Sequence, residues 1–96
     1  MRVGDLVISD AVREKLTVKH ALSFEEVEEV CLYAPAASHL WREGREGTAL
    51  LYGRTFAGRY LVVVVLSPKG DGVWRVVTAR DMTGHERRGY HAQKGR

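Results

Sequence analysis

The chain has 96 residues, 45% of them hydrophobic and 28% charged, with a formal net charge of +3 and one cysteine. This length excludes two independent hydrophobic cores and this composition excludes a disordered chain, so residues 1–96 are predicted to form a single domain. The longest apolar run, Leu61 to Leu66, is well short of the roughly 18 residues that a membrane-spanning helix needs. No signal sequence is recognisable either, so we expect a cytoplasmic protein without a membrane partner.

A first helix is predicted directly after Ser9 and Asp10. Either side chain can accept a hydrogen bond from the free N–H groups at a helix start. The helix is expected to reach Lys19, and Val12 and Leu16 then share one face because they lie four residues apart.

A second helix is predicted from Ser23 onward. The sequence Ser23-Phe24-Glu25-Glu26 has the spacing of a capping box, in which the serine accepts from the glutamate backbone and the glutamate side chain reaches back. Pro35 is expected to end the helix shortly after Tyr33. The apolar stripe of this helix is predicted to consist of Phe24, Val27, Val30 and Cys31. Its glutamates are predicted to face outward, and they are Glu25, Glu26, Glu28 and Glu29.

Three strand-like runs follow an irregular segment over residues 36–47. Each is rich in β-branched or aromatic residues, and they cover Ala49 to Thr55, Tyr60 to Leu66 and Val73 to Ala79. Turn residues separate the runs, which predicts an antiparallel meander. The second run lacks alternation, which is typical of a middle strand that is buried on both faces, whereas in the third run Trp74, Val76 and Thr78 alternate with Arg75, Val77 and Ala79.

A last helix is predicted to begin at Thr83-Gly84-His85-Glu86, a second capping-box spacing, and to run to about Gln93. The predicted fold class is therefore α+β, with two N-terminal helices, a three- to four-stranded antiparallel sheet and a C-terminal helix.

Charge is distributed unevenly along the chain. Residues 1–31 carry four positive and seven negative side chains, whereas residues 59–96 carry eight positive and three negative ones. A basic C-terminal half is what a polyanion such as RNA requires of its partner. A solvated surface that serves solubility is an equally good explanation.

Three short segments together resemble the BrnT-type ribonuclease toxins of type II toxin-antitoxin pairs. The first is Lys19-His20 with the helix start Ser23-Phe24-Glu25-Glu26, and the second is Tyr52-Gly53-Arg54-Thr55 with Gly58-Arg59. The third is Val77-Thr78-Ala79-Arg80 with Glu86-Arg87 and Tyr90. In this order the segments cover nearly the whole chain. The family commonly has Glu-x-Arg at the start of the sheet, where this chain has Glu46-Gly47-Thr48, and often has Trp-Asp where this chain has Ile8-Ser9-Asp10.

The resemblance implies a RelE-like fold and metal-independent cleavage of RNA. It also implies a cognate antitoxin protein as partner, through which an oligomer can form. No cofactor is expected, and no Cys/His spacing typical of a zinc site occurs in the chain. Cys31 is most simply explained as a small core residue.

Metal-free RNA cleavage needs a base for the 2′-hydroxyl proton, cations for the phosphorane charge and an acid for the leaving oxygen. Lys19 and His20 are the first candidates, because they offer a phosphate contact and a proton carrier. Cations at a helix end are also common for structural reasons alone.

Arg80 is the best single catalytic candidate, because it ends a strand that fixes its guanidinium at the sheet edge. The alternative is a structural ion pair with Glu86 or Asp81. Tyr90 is the fourth catalytic candidate, as a proton donor or as a surface on which a base stacks. Equally, it can anchor the last helix to the sheet.

Four further arginines are predicted to bind the RNA backbone: Arg54, Arg59, Arg87 and Arg88. Exposed arginines of this kind are often only solvated. The main competing function, motivated by Thr48 in place of the arginine common in the family, is a non-catalytic module that binds nucleic acid or protein through the same basic sheet edge. A different small enzyme on this scaffold is a third possibility.

Overall fold

The structure, a computed structural model, describes residues 4–33, 40–67 and 72–94. Its strands are β1 (Asp5–Val7), β2 (Leu40–Glu43), β3 (Thr48–Arg54), β4 (Tyr60–Leu66) and β5 (Val73–Asp81). Its α-helices are α1 (Asp10–His20), α2 (Phe24–Glu28), which continues as a π-helical segment over Glu29–Tyr33, and α3 (Gly84–Lys94). The α+β class and the three predicted helix starts are confirmed. Pro35 lies outside the described residues.

The five strands form one mixed sheet in the order β1-β5-β4-β3-β2. Strands β2 to β5 are the predicted antiparallel meander extended by one strand, and β4 is central as expected. The prediction of a purely antiparallel sheet was wrong at one edge, because β1 pairs in parallel with β5. A three-residue strand is too short to show a period in the sequence, and its strand conformation depends on a partner from the far end of the chain.

Side-chain caps fix the helix starts. The Ser9 hydroxyl accepts from the Val12 N–H at 3.2 Å, and Ser23 and Glu26 form the predicted reciprocal capping box. Helix α1 ends at Ala21, whose φ of 51° lies in the left-handed region. The tight turn between α1 and α2 follows from this cap.

Helices α1 and α2 cover one side of the sheet, here called the α1 side. The buried residues there include Leu16, Leu22, Val27, Val30, Cys31, Leu51, Leu61, Val63, Val65, Val76 and Ala79. The prediction that all four glutamates of the second helix face outward was wrong for two of them. Glu26 caps its helix and lies 3.4 Å from Arg59, and Glu29 accepts from the Phe56 N–H at 2.9 Å.

The opposite side of the sheet, here called the α3 side, carries a smaller cluster of buried residues. Val62, Met82 and Tyr90 form it, with Leu50, Tyr52 and Tyr60 packed against it. None of the helices in the described part of the chain is long and apolar enough to cross a membrane.

A β-bulge in β5 decides which of its side chains reach the α3 side. Val64 pairs with Thr78 whereas Val65 pairs with Val76, so Val77 is an extra residue. The alternation predicted for this strand is therefore wrong beyond Val76. Downstream of the bulge, Ala79 joins the core on the α1 side and Arg80 pairs with Val62 on the α3 side.

Candidate nucleic-acid interface

A cavity of about 300 Å³ lies on the α3 side of the sheet, between α3 and the neighbouring strands. Its walls are formed by Arg42, Tyr52, His85, Glu86, Gly89, Tyr90 and Gln93. One arginine, two tyrosine rings, a carboxylate and two further polar side chains therefore converge on one concave surface.

Sheet register explains why the strands contribute these residues. Tyr52 pairs with Val62 and Val62 pairs with Arg80, so these three side chains form one row across the α3 side. Arg42 pairs with Leu50, which is in the adjacent row. The cation of Arg42 thus reaches the same side of the sheet as Thr48.

Arg80 is held by a two-pronged ion pair with Glu86. Nη1 of Arg80 donates to Oε1 of Glu86 at 2.6 Å and Nη2 donates to Oε2 at 2.9 Å. Nη1 also donates to the Asp81 carbonyl at 3.1 Å. The structural ion pair offered by the sequence as an alternative for Arg80 is thus present, yet the Arg80 side chain is still 43% exposed.

Glu86 serves both the ion pair and the helix cap. Its carboxylate accepts from the Thr83 N–H at 2.9 Å, and its own N–H donates to the Thr83 hydroxyl at 3.1 Å. The hydrogen bond from Arg80 is the main reason that the pKa of Glu86 is lowered to about 2, and the same bond raises the pKa of Arg80. Glu86 is therefore a carboxylate at neutral pH and holds no proton to give to a leaving oxygen.

The Tyr60 ring contacts one arginine from the β3–β4 hairpin and one from α3. The guanidinium of Arg87 lies 4.3 Å from the centre of the Tyr60 ring, and that of Arg54 lies 5.8 Å from it. The Tyr60 ring meets that of Tyr90 edge to face at 5.9 Å. Arg54 and Arg87 thus lie beside Tyr60 on the α3 side, and Arg88 is exposed on α3.

Tyr90 is 8% exposed and packs in the cluster of Val62 and Met82. This is the anchoring position that the sequence offered as an alternative to catalysis. Burial raises the pKa of its phenol, so the hydroxyl stays protonated at neutral pH. The ring also forms part of the cavity wall.

The Arg59 guanidinium forms hydrogen bonds to other parts of the protein. Its Nε and Nη2 donate to the Asp81 carboxylate at 2.7 and 3.0 Å, and its remaining N–H groups donate to the carbonyls of Ala21 and His20, both at 2.8 Å, and to Glu26 at 3.4 Å. All five guanidinium N–H groups thus have protein acceptors. In this arrangement Arg59 fastens the α1–α2 turn to the sheet and has no N–H left for a phosphate.

The sheet separates the predicted catalytic residues into two groups. Lys19 and His20 end α1, which packs on the α1 side through Leu16, whereas Arg80 and Tyr90 lie on the α3 side. Lys19 is exposed and His20 is half-buried. The four side chains do not surround one point.

Among the described residues, Tyr90 is the one predicted site residue in the cavity wall, and the other lining residues, among them His85 and Arg42, were missed from sequence. His85 lies in the first turn of α3 beside Glu86, and Arg42 comes from a strand that was predicted to be irregular. The capping box signalled the position of His85, because it placed residue 85 at the start of a helix. No sequence signal placed Arg42 there, because β2 carries no recognisable strand pattern.

No three His, Cys, Asp or Glu side chains among residues 4–33, 40–67 and 72–94 come together in a way that could hold a metal ion. Cys31 is buried, and this burial raises the pKa of its thiol to about 12. The thiol is accordingly not a nucleophile at neutral pH.

The fold is similar to that of a solved ribonuclease toxin. The crystal structure of BrnT from Brucella abortus matches with a TM-score of 0.65, over 82% of this chain and 96% of that one, at 16% sequence identity. No protein-family model matches the chain, and no curated protein matches it in sequence. The likeness therefore establishes a BrnT-like fold, as the sequence predicted.

Proposed function

We propose that this protein is the toxin of a type II toxin-antitoxin pair and an endoribonuclease that cleaves RNA without a metal ion. The observation that carries the proposal is the position of Arg80. On a BrnT-like fold, this arginine is fixed at the end of β5 by Glu86, and Glu86 lines a cavity together with two tyrosines and Arg42. That combination suits a phosphate with an attached base.

In the proposed reaction, the 2′-oxygen of the substrate attacks the neighbouring phosphorus, the bond to the 5′-oxygen breaks, and a 2′,3′-cyclic phosphate remains. Charge that develops on the phosphorane oxygens needs fixed cations. Arg80 uses three of its five N–H groups on Glu86 and on the Asp81 carbonyl. The other two have no protein acceptor among the described residues, so Arg80 retains donors for a phosphate.

Proton transfer is assigned to groups of the same cavity. His85, in the cavity wall, is assigned the proton of the 2′-hydroxyl, and Tyr90 is assigned as the donor to the leaving 5′-oxygen because its phenol stays protonated. Lys19 and His20 lie on the α1 side, and in this proposal they contact RNA that flanks the scissile phosphate. The backbone on either side is held by Arg54, Arg87 and Arg88.

A cognate antitoxin is proposed to bind over the α3 side and thereby exclude RNA. This surface combines cations with aromatic rings, as at Arg87 and Tyr60. An acidic segment of a partner protein would complement it.

The test is cleavage of a labelled, mixed-sequence RNA by purified protein in excess chelator, with and without ribosomes. We expect 2′,3′-cyclic phosphate ends and a loss of about 100-fold or more in rate for Arg80→Ala. Arg80→Lys should also lose most activity, because an ammonium cannot keep the fork with Glu86. Lys15→Ala, an exposed cation on α1, is the matched control and should cleave normally.

Circular dichroism must show that each variant is folded before its rate is interpreted. No cleavage by folded wild-type protein, with or without ribosomes, would overturn the ribonuclease proposal.

The second candidate function is RNA or protein binding without cleavage. Neutralisation of Arg80 by Glu86 and the burial of Tyr90 favour it, because both contacts also explain these residues structurally. Salt-dependent RNA binding by a protein that leaves the RNA intact would support this second candidate.

A further inference from the structure

Gly89 lies in the interior of α3 and in the wall of the cavity. Glycine is among the poorest helix formers, because it has the most backbone freedom to lose. Close packing is the usual reason to keep one, but a Cβ placed on Gly89 would meet no atom within 4 Å. The fold itself therefore gives no steric reason for glycine at this position.

The open space beside Gly89 is continuous with the cavity. The walls of this cavity also include two tyrosines, Tyr52 and Tyr90, and two polar side chains, His85 and Gln93. A flat, polar-edged molecule would fit against the bare helix backbone on one side and an aromatic ring on the other. A Cβ at residue 89 would intrude into that space.

We propose that this cavity is a subsite for one unstacked RNA base, and that Gly89 is kept free of a side chain so that the base can approach α3. The inference rests on the proposed function and deepens it by naming a specificity pocket beside Arg80. A cavity of about 300 Å³ lies at the small end of ligand pockets, with room for a single nucleotide. Aromatic stacking binds a base, and the arginines next to the cavity bind its phosphate.

Stacking determines which base is preferred. The Gln93 carboxamide both donates and accepts a hydrogen bond, so it can pair with the polar edge of either adenine or uracil. Adenine has the larger ring face to stack on an aromatic side chain. The subsite should therefore bind adenosine 5′-monophosphate more tightly than uridine 5′-monophosphate.

The test is an NMR titration of the full-length protein with these two mononucleotides, following the backbone amides of α3. Gly89→Ala and Gly89→Leu fill the cavity stepwise with residues that favour a helix. We expect Gly89→Ala to raise the Tm by about 4 °C or more and to weaken the binding of adenosine monophosphate. Gly89→Leu should weaken it by about tenfold or more.

Two control variants share the helix but not the cavity. Gly84→Ala removes a glycine at the start of α3, and Ala92→Leu adds the same bulk at an exposed position. Both should bind the mononucleotide like wild type. Gln93→Leu should weaken the binding of both mononucleotides, because the edge of the bound base loses a hydrogen-bonding partner.

Unchanged mononucleotide binding by a folded Gly89→Leu protein would overturn the subsite, as would wild-type protein whose α3 amides do not respond to either nucleotide. The RNA cleavage assay separates this inference from the proposed function. If wild type and Gly89→Leu both cleave RNA and show the same sequence preference, the protein is a ribonuclease but the subsite is overturned. If the protein binds the nucleotides at α3 but cuts no RNA, the subsite is supported and the proposed ribonuclease activity is overturned.

Discussion

Arg80 at the end of β5 and Glu86 in the first turn of α3 are joined by two parallel hydrogen bonds of 2.6 and 2.9 Å. The same Glu86 carboxylate caps α3 through the Thr83 N–H. One side chain thus sets both the start of the last helix and the orientation of the leading catalytic candidate.

Glu86→Gln should lower the free energy of unfolding by about 1–2 kcal/mol at pH 7, because a charge-assisted pair becomes a neutral contact. The folded-state pKa of Glu86 is lowered from an ordinary 4.5 to about 2. Its contribution is therefore complete above pH 4.5 and is lost as the pH falls towards 2. Urea unfolding measures this at pH 7 and pH 2.5, and the difference in the free energy of unfolding between wild type and variant should be smaller at pH 2.5.

The matched control is Glu25→Gln, which alters an exposed carboxylate in the first turn of α2. Its effect should stay within about 0.5 kcal/mol at pH 7. A difference between wild type and Glu86→Gln that is equal at both pH values would contradict the ion-pair account.

Arg59→Ala is expected to destabilise the fold by about 1–3 kcal/mol, because five hydrogen bonds between three elements are lost. Arg59→Lys should recover little, since a single ammonium cannot reach both Asp81 and the two backbone carbonyls. Arg54→Ala, at the other end of the same hairpin, should change stability by less than about 0.5 kcal/mol. Thermal unfolding compares the three, and equal Tm values for Arg59→Ala and Arg54→Ala would contradict the structural role.

Tyr90 can be tested for its anchoring and proton-donating roles separately. Tyr90→Ala should cost about 3 kcal/mol of stability, because it leaves a cavity next to Val62 and Met82. Tyr90→Phe preserves the packing and should cost much less. If RNA cleavage by Tyr90→Phe equals that of wild type, the hydroxyl takes no part in proton transfer and Tyr90 is an anchor only.

Arg87→Gln should weaken the binding of single-stranded RNA to a similar degree for every sequence. Loss of one phosphate contact reduces the slope of log K against log salt by about 0.7. Lys15→Gln, on the α1 side, is the control and should leave the slope unchanged. Binding measured by fluorescence anisotropy between low and moderate salt gives both slopes, and equal slopes for Arg87→Gln and wild type would place RNA elsewhere.

Local signals in the sequence predicted the parts of the fold that depend on neighbouring residues. The capping boxes at Ser23 and Thr83 act within one helical turn, so their spacing was sufficient to place α2 and α3. Strands β1 and β2 depend on partners elsewhere in the chain. Their short sequences carry no period of their own, and they were not predicted.

The candidate site was less predictable because it depends on which side of the sheet a residue reaches. Strict alternation in β5 would put Arg80 on the same side as Val76, towards α1 and the predicted pair Lys19 and His20. The bulge at Val77 moves it to the opposite side. A single extra residue therefore separates the residues that the sequence grouped together, and brings Arg80 to Glu86 instead.

The parallel pairing of β1 with β5 also bears on the order in which the protein assembles. Paired residues such as Asp5 and Val73 lie far apart along the chain, and contacts of such long range form slowly. During synthesis β1 emerges first, but it can pair only once β5 has emerged. Between the emergence of β5 and its pairing with β1, the β5 edge has unpaired backbone N–H and C=O groups, which makes the nascent meander open to pairing with other strands.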